Sequence, residues 1–187
     1  METEMYFMEL RQAITERRSV RKFTEDPVSK QTIHELLELA LQAPSWKNSQ
    51  CWEYLVVDDP ATKQFMAQSI PETNPAYKCL STAPYVVVCI ADPSKVETPQ
   101  GKQYFMADAA TSFYAFWLAC HDAGLGTVAA GEIMDEDPLK QALGIPMEKH
   151  IYCIAPVGVP LYQPKQRPRE EFSQKVSFGR YGEPFQD

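Results

Sequence analysis

The sequence predicts an α+β fold, a sheet wrapped by helices, and three observations carry that expectation. Residues 85–90 and 151–159 are apolar on both faces, as strands in the centre of a sheet are. Ile33, Leu36, Leu37, Ala40 and Leu41 form one stripe at helical spacing. Residues 103–123 form a long run, apolar nearly all round, which needs cover on several sides. A chain of 187 residues can bury a sizeable core but leaves little room for a second domain, so residues 1–187 are expected to form one unit.

Taken in order, Phe7, Leu10 and Ile14 predict a first helix over residues 5–17, ending in a basic run. Pro27 breaks the chain, Ser29 can cap a second helix, and Pro44 stops it. Aromatic and β-branched residues from Trp52 to Val57 predict a strand, closed by Asp58-Asp59-Pro60 and followed by a short helix to about Ser69. Residues 71–83, with two prolines and Tyr77, are expected to be a loop before the central strand 85–90. The long helix 103–123 follows, then a short strand 127–130, a short helix 138–143 closed by Gly144, and a second central strand 151–159. Beyond Pro160 the tail holds Pro164, Pro168 and Pro184 among scattered aromatics, so it needs an external surface to lie on. A second copy of the chain would supply that surface and also cover the over-apolar helix.

Composition excludes several classes. A net charge of −7 argues against a general nucleic-acid binder, which needs a dense basic field. Residues 104–130 are interrupted by Asp108, His121, Asp122, Gly124 and Gly126, so no membrane span is expected. The first residues lack the basic start and apolar stretch of an export signal. Five cysteines without a CxxC pair predict buried thiols in a reducing compartment, the cytoplasm. His34, His121 and His150 have no ligand neighbours at metal spacing, so no metal site is expected. Gly124-Leu125-Gly126-Thr127-Val128-Ala129 spells a dinucleotide fingerprint, but a helix precedes it and a strand follows, the reverse of the order that brings a pyrophosphate to a helix N-terminus. Gly124 is therefore expected to cap the helix.

Three patches carry chemistry. Arg17, Arg18, Arg21 and Lys22 put four cations in six residues of an acidic chain, with Ser19 between them. Two readings are open, a solvated basic helix end and a phosphate grip. The second gains from residues 43–50, where Pro44, Ser45, Asn48 and Gln50 gather amides and hydroxyls that both donate and accept, as the edge of a flavin ring requires. Lys165 and Arg167 return two more cations in the tail.

These residues resemble the nitroreductase family of FMN-dependent oxidoreductases over nearly the whole chain. The signals are Arg17-Arg18-Ser19-Val20-Arg21-Lys22-Phe23, residues 43–52, the turn at 123–127, and Gly131-Glu132-Ile133 before Leu143-Gly144-Ile145-Pro146. The resemblance implies a three-layer α/β/α sandwich with a central mixed sheet. It also implies an intertwined homodimer in which the tail, residues 160–187, lies on the partner, and two FMN molecules touched by both chains. Position by position, Arg17 and Ser19 would bind the phosphate with Arg18 beside them, and Arg21 would face N1 and O2 of the flavin. Pro44, Ser45, Asn48 and, more weakly, Gln50 would approach from the other chain. Gly131 and Glu132 would offer contacts near N5 and O4, and Lys165 and Arg167 would clamp the phosphate. Cys51 departs from the family, many members having proline there. Tyr77 and Phe105 are candidates to roof the cavity over a substrate, or else belong to the core. The implied activity is reduction of nitroaromatic, quinone or related small-molecule acceptors by NADH or NADPH through flavin N5, so no protein side chain is assigned as catalytic. The same scaffold also carries reductive dehalogenation, azoline oxidation and flavin fragmentation, and FMN storage or sensing without turnover is a third class. Neither the acceptor nor the nicotinamide preference is readable from the residues.

Overall fold

The computed structural model describes residues 8–185. Its sheet has four strands, β1 (Trp52–Val57), β2 (Tyr85–Ala91), β3 (Gly126–Thr127) and β4 (His150–Gly158), in the spatial order β1-β2-β4-β3. All pairs of named strands are antiparallel. The mixed character expected of the sheet reduces, within the chain, to one isolated parallel bridge between Ser19 and Thr127.

β2 is buried along its whole length because both faces of the sheet are covered. Its alternate residues Tyr85, Val87, Cys89 and Ala91 meet Ile33 and Leu36 of α2 (Lys30–Ala40) and Phe113 and Phe116 of α5 (Tyr104–Asp122). Val86, Val88 and Ile90 point the other way, onto Met66 of α3 (Pro60–Gln68), Leu80 of α4 (Tyr77–Thr82) and Leu139 of α6 (Glu136–Leu143). Three layers result, α2 and α5, then the sheet, then α3, α4 and α6. Local chemistry sets the helix ends: Ser29 accepts from the Thr32 amide at 2.9 Å and Asp59 from the Thr62 amide at 2.7 Å, and Gly144 closes α6 in the left-handed region with φ 68°.

Three expectations are revised. Helix α1 (Leu10–Glu16) is shorter than residues 5–17, and Phe7 lies outside the described residues. Its apolar stripe faces outward, with Leu10 67% and Ile14 48% exposed and Ala13 alone buried. The expected loop 71–83 contains α4, whose Cys79 and Leu80 find an apolar surface that the local sequence does not announce. α5 is covered on several sides, as the sequence predicts, and leaves Ala107, Thr111 and Tyr114 as an open stripe. The tail has a four-residue helix, α7 (Phe172–Lys175), and leaves Phe172, Phe178 and Tyr181 exposed.

The glycines after α5 have separate duties. Gly124 takes φ +71° at the helix end, with open space around a would-be Cβ. Gly126 instead lets the N-terminal segment approach, since a Cβ there would lie 2.6 Å from the Cβ of Val20. Gly126→Ala should therefore cost about 1–3 kcal/mol through overpacking, more than the roughly 1 kcal/mol of a left-handed alanine at Gly124. Thermal denaturation of the two variants gives the order; equal losses would mean that Val20 moves aside.

Candidate functional site

Residues 19–24 run between β3 and the exit of β4. Val20 N–H donates to Thr127 O at 3.1 Å, Thr24 N–H to Val159 O at 2.9 Å, and Leu161 N–H to Lys22 O at 2.9 Å. Those bonds bind the start of the chain and the start of the tail to one another. The tail then turns back along α1, where the Gln163 side chain donates to Glu16 O at 2.9 Å and Arg18 donates to Gln166 Oε1 at 3.0 Å.

Between them lies a cavity of about 310 Å³ walled by Arg17, Arg18, Ser19, Arg21, Lys165, Arg167 and Arg169, with Pro164 and Gln166. Six of the chain's 18 Lys and Arg residues line it, and no carboxylate does. None of the six forms an ion pair with a carboxylate of the described residues. Two unit charges about 5 Å apart repel by roughly 3 kcal/mol at an effective dielectric of 20, so this gathering calls for a compensating anion.

Arg17 shows that demand most clearly. Its guanidinium is stacked 4.1 Å from the centroid of Trp117, and its Nε and Nη1 are buried without a partner, as are Nε of Arg18 and of Arg21. Burial pulls its pKa below the usual arginine value; Tyr114 opposes the shift, and Arg169 and Arg18 add to it. An oxyanion in the cavity would offset the electrostatic penalty of these gathered cations.

Arg21 stands at a junction, lining this cavity and also a larger cleft of about 1010 Å³. Phe23, Tyr77, Pro84 and Tyr162 give the cleft apolar walls, and Asn74 adds a carboxamide. Asn74 Nδ2 donates to Glu132 Oε2 at 3.0 Å, tying the exposed Gly131-Glu132 pair to the cleft rim. Tyr77 thus lies in a cleft wall. Phe105 does not: it is 5% exposed, sits in the core against α2 and β2, and stacks on His150 at 5.4 Å.

The structure does not bring Pro44, Ser45, Asn48 or Gln50 to either cavity. Pro44, Asn48 and Gln50 are exposed and Ser45 is half-buried, in a loop where Ser45 Oγ accepts from the Gln50 amide at 3.0 Å. Sequence reasoning missed three residues of interest. Arg169 continues the alternation of Lys165 and Arg167, a signal that was present. Asn74 lay in what looked like a featureless loop, and Asp108 looked like an interruption of an apolar helix although its carboxylate receives the loop's Trp46 amide at 3.0 Å. Among the described residues no cluster of His, Cys, Asp or Glu could hold a metal ion.

The model of the Nitroreductase family matches residues 14–159. The chain belongs to the nitroreductase family. Among relatives of this family member, a Methanothermobacter thermautotrophicus protein with the provisional name NADH dehydrogenase/NAD(P)H nitroreductase is 28% identical over 163 residues, covering 86% of this chain and 82% of its own. A 5,6-dimethylbenzimidazole synthase of Rhodospirillum rubrum is 27% identical over 169 residues, covering 77% and 78%. The solved FMN-dependent nitroreductase of Clostridium difficile R20291 is 26% identical and superposes with a TM-score of 0.78 over 92% of this chain and 100% of its own.

If the six cations require an anion, inorganic phosphate should raise the melting temperature of flavin-free protein. An excess of about 100-fold over the dissociation constant corresponds to roughly 2.7 kcal/mol. Arg17→Ala should lose most of that shift, whereas an unchanged response would place the anion elsewhere.

Proposed function

We propose that this chain is an FMN-dependent oxidoreductase that works as a homodimer, takes reducing equivalents from NADH or NADPH, and passes them to a small-molecule acceptor such as a quinone or nitroaromatic. The observation carrying this reading is the carboxylate-free cavity with orphaned Arg17 nitrogens, opening past Arg21 into an apolar-walled cleft. Its donor set is cationic, with a hydroxyl from Ser19, and fits the phosphate end of FMN; the adjoining cleft has the flat, partly aromatic walls that suit a ring system. The names of the two nitroreductase relatives support the same cofactor and reductant.

Bound there, FMN supplies two-electron redox chemistry at N5 of its ring. Arg17, Ser19, Lys165 and Arg167 hold the phosphate, Arg18 and Arg169 adding charge. Arg21 keeps a cation facing the cleft, which favours negative charge developing on the ring edge. Glu132, fixed by Asn74, orients its own backbone and that of Gly131 at the rim. Phe23, Tyr77 and Tyr162 exclude water and favour flat acceptors. Pro44, Ser45, Asn48 and Gln50 belong to the flavin site of a second copy. That assignment accounts for their exposure away from both cavities and for the open stripe on α5. Of the tail, expected over residues 160–187 to lie on the partner, residues 161–169 are instead held by this chain's own Lys22, Glu16 and Arg18, and only the part beyond, with its bare aromatics Phe172, Phe178 and Tyr181, would lie on the partner. Five free, buried cysteines suit the reducing cytoplasm, and no described helix is long and apolar enough to cross a membrane. The match to a dimethylbenzimidazole synthase favours, as a second reading, different flavin chemistry on this scaffold.

Purified protein should be yellow, and NADH or NADPH added without oxygen should bleach it. Colourless protein that takes up no FMN contradicts the proposal, and coloured protein that neither nucleotide reduces turns it toward storage or another reductant. Arg17→Ala should weaken FMN binding by roughly ten- to 100-fold, as expected for a charge-assisted hydrogen bond.

A further inference from the structure

One acid lies inside the body of α5. Asp108 is 7% exposed, has no cation at ion-pair distance among the described residues, and gathers donors from a single loop. Its Oδ2 accepts from Trp46 N–H at 3.0 Å and Ser49 Oγ–H at 3.3 Å, and lies 3.8 Å from the Cys51 thiol, whose one proton it shares with Phe105 O at 3.6 Å. A buried carboxylate without a cation is unfavourable unless hydrogen bonds replace its water, and here the loop supplies them. The Cys51 thiol is pushed up to about 11 by burial and then by Asp108, so at neutral pH it keeps the proton it donates.

The loop needs the anchor. Lys47, Asn48 and Gln50, none of them glycine, have φ of 49°, 56° and 47°. Such backbone persists where surrounding contacts over-determine it, and it clusters at binding sites. Trp46 adds a second hold by stacking on Tyr104, the first residue of α5, at 4.1 Å and 19°. Between these two grips the side chains of Asn48 and Gln50 remain exposed.

We propose that Asp108 is a positioning residue, a buried carboxylate that holds the loop through Trp46, Ser49 and Cys51 in the strained shape in which Ser45, Asn48 and Gln50 meet the flavin of a second copy. This rests on the FMN homodimer reading above. Ser112, the other fully buried polar residue on this face of α5, bonds Tyr54 and Ala40 O instead and is the natural control.

The test combines FMN titration with amide hydrogen exchange of residues 46–50 in flavin-free protein. Asp108→Ala should speed exchange in the loop and weaken FMN binding about ten-fold or more, the scale of a hydrogen bond to a charged group. Asp108→Asn, which keeps an acceptor, should restore part of both. Ser112→Ala should lower the melting temperature and leave both readouts at wild-type values. Asn48→Gly, which removes the amide and keeps the left-handed backbone, should weaken FMN binding without loosening the loop. Wild-type protein that fails to bind FMN overturns the functional reading. Wild-type binding weakened by Asn48→Gly but not by Asp108→Ala overturns the role of Asp108 alone. If Asp108→Ala does not fold, Asp108→Asn and Cys51→Ala decide the matter, and unchanged loop exchange in both overturns the proposal.

Discussion

The close approach of residues 19–24 to the end of the sheet is the contact on which the site depends. Val20 rests on Gly126, Phe23 rests against Gly158, and backbone bonds run from this segment to Thr127, Val159 and Leu161. A side chain at either glycine would push the segment away, Gly158 having Pro84 and Phe23 within about 3 Å of a would-be Cβ. The consequence reaches beyond packing. Arg17 and Arg167 are far apart in sequence, and this contact delivers them to one cavity by fixing where the first helix ends and where the tail begins.

Folding thereby assembles a local field that opposes the chain's own charge. Six cations converge in a protein of net charge −7, and the core behind them, with Trp117 under Arg17, offers no acid in exchange. Repulsion inside the cavity is a standing penalty that an anionic ligand converts into affinity. α5 works on two fronts: Trp117 lies beneath Arg17, while Asp108 near its other end holds the 46–51 loop. One helix therefore supports both the cation cavity and the 46–51 loop, which do not meet within the chain.

The layered fold was legible where pattern and burial agree. β1 and β2 are rich in β-branched and aromatic residues, with Glu53 the one charge in either strand, and Ser29 announced α2 through its cap. α4 escaped because its helical character comes from the surface under Cys79 and Leu80, while Pro71 and Pro75 signal a loop. The cations at 17–21 and 165–167 stood out against an acidic background, so five of the cavity's six cations could be named from the sequence. Arg169 needed the turn of the tail, Asn74 needed its bond to Glu132, and Asp108 needed the loop to fold over it. Phe105 could not be assigned from sequence at all, because an aromatic near a helix start serves a core or a cleft equally well; here it serves the core.

If this cavity is a phosphate site, its charge decides which flavin is held. Parallel titrations of flavin-free protein with FMN and with riboflavin, at low and at high ionic strength, test it most directly. FMN should bind about 100-fold more tightly than riboflavin or better, and the gap should narrow as salt screens the cations. Equal affinities, or a preference indifferent to salt, would contradict the claim.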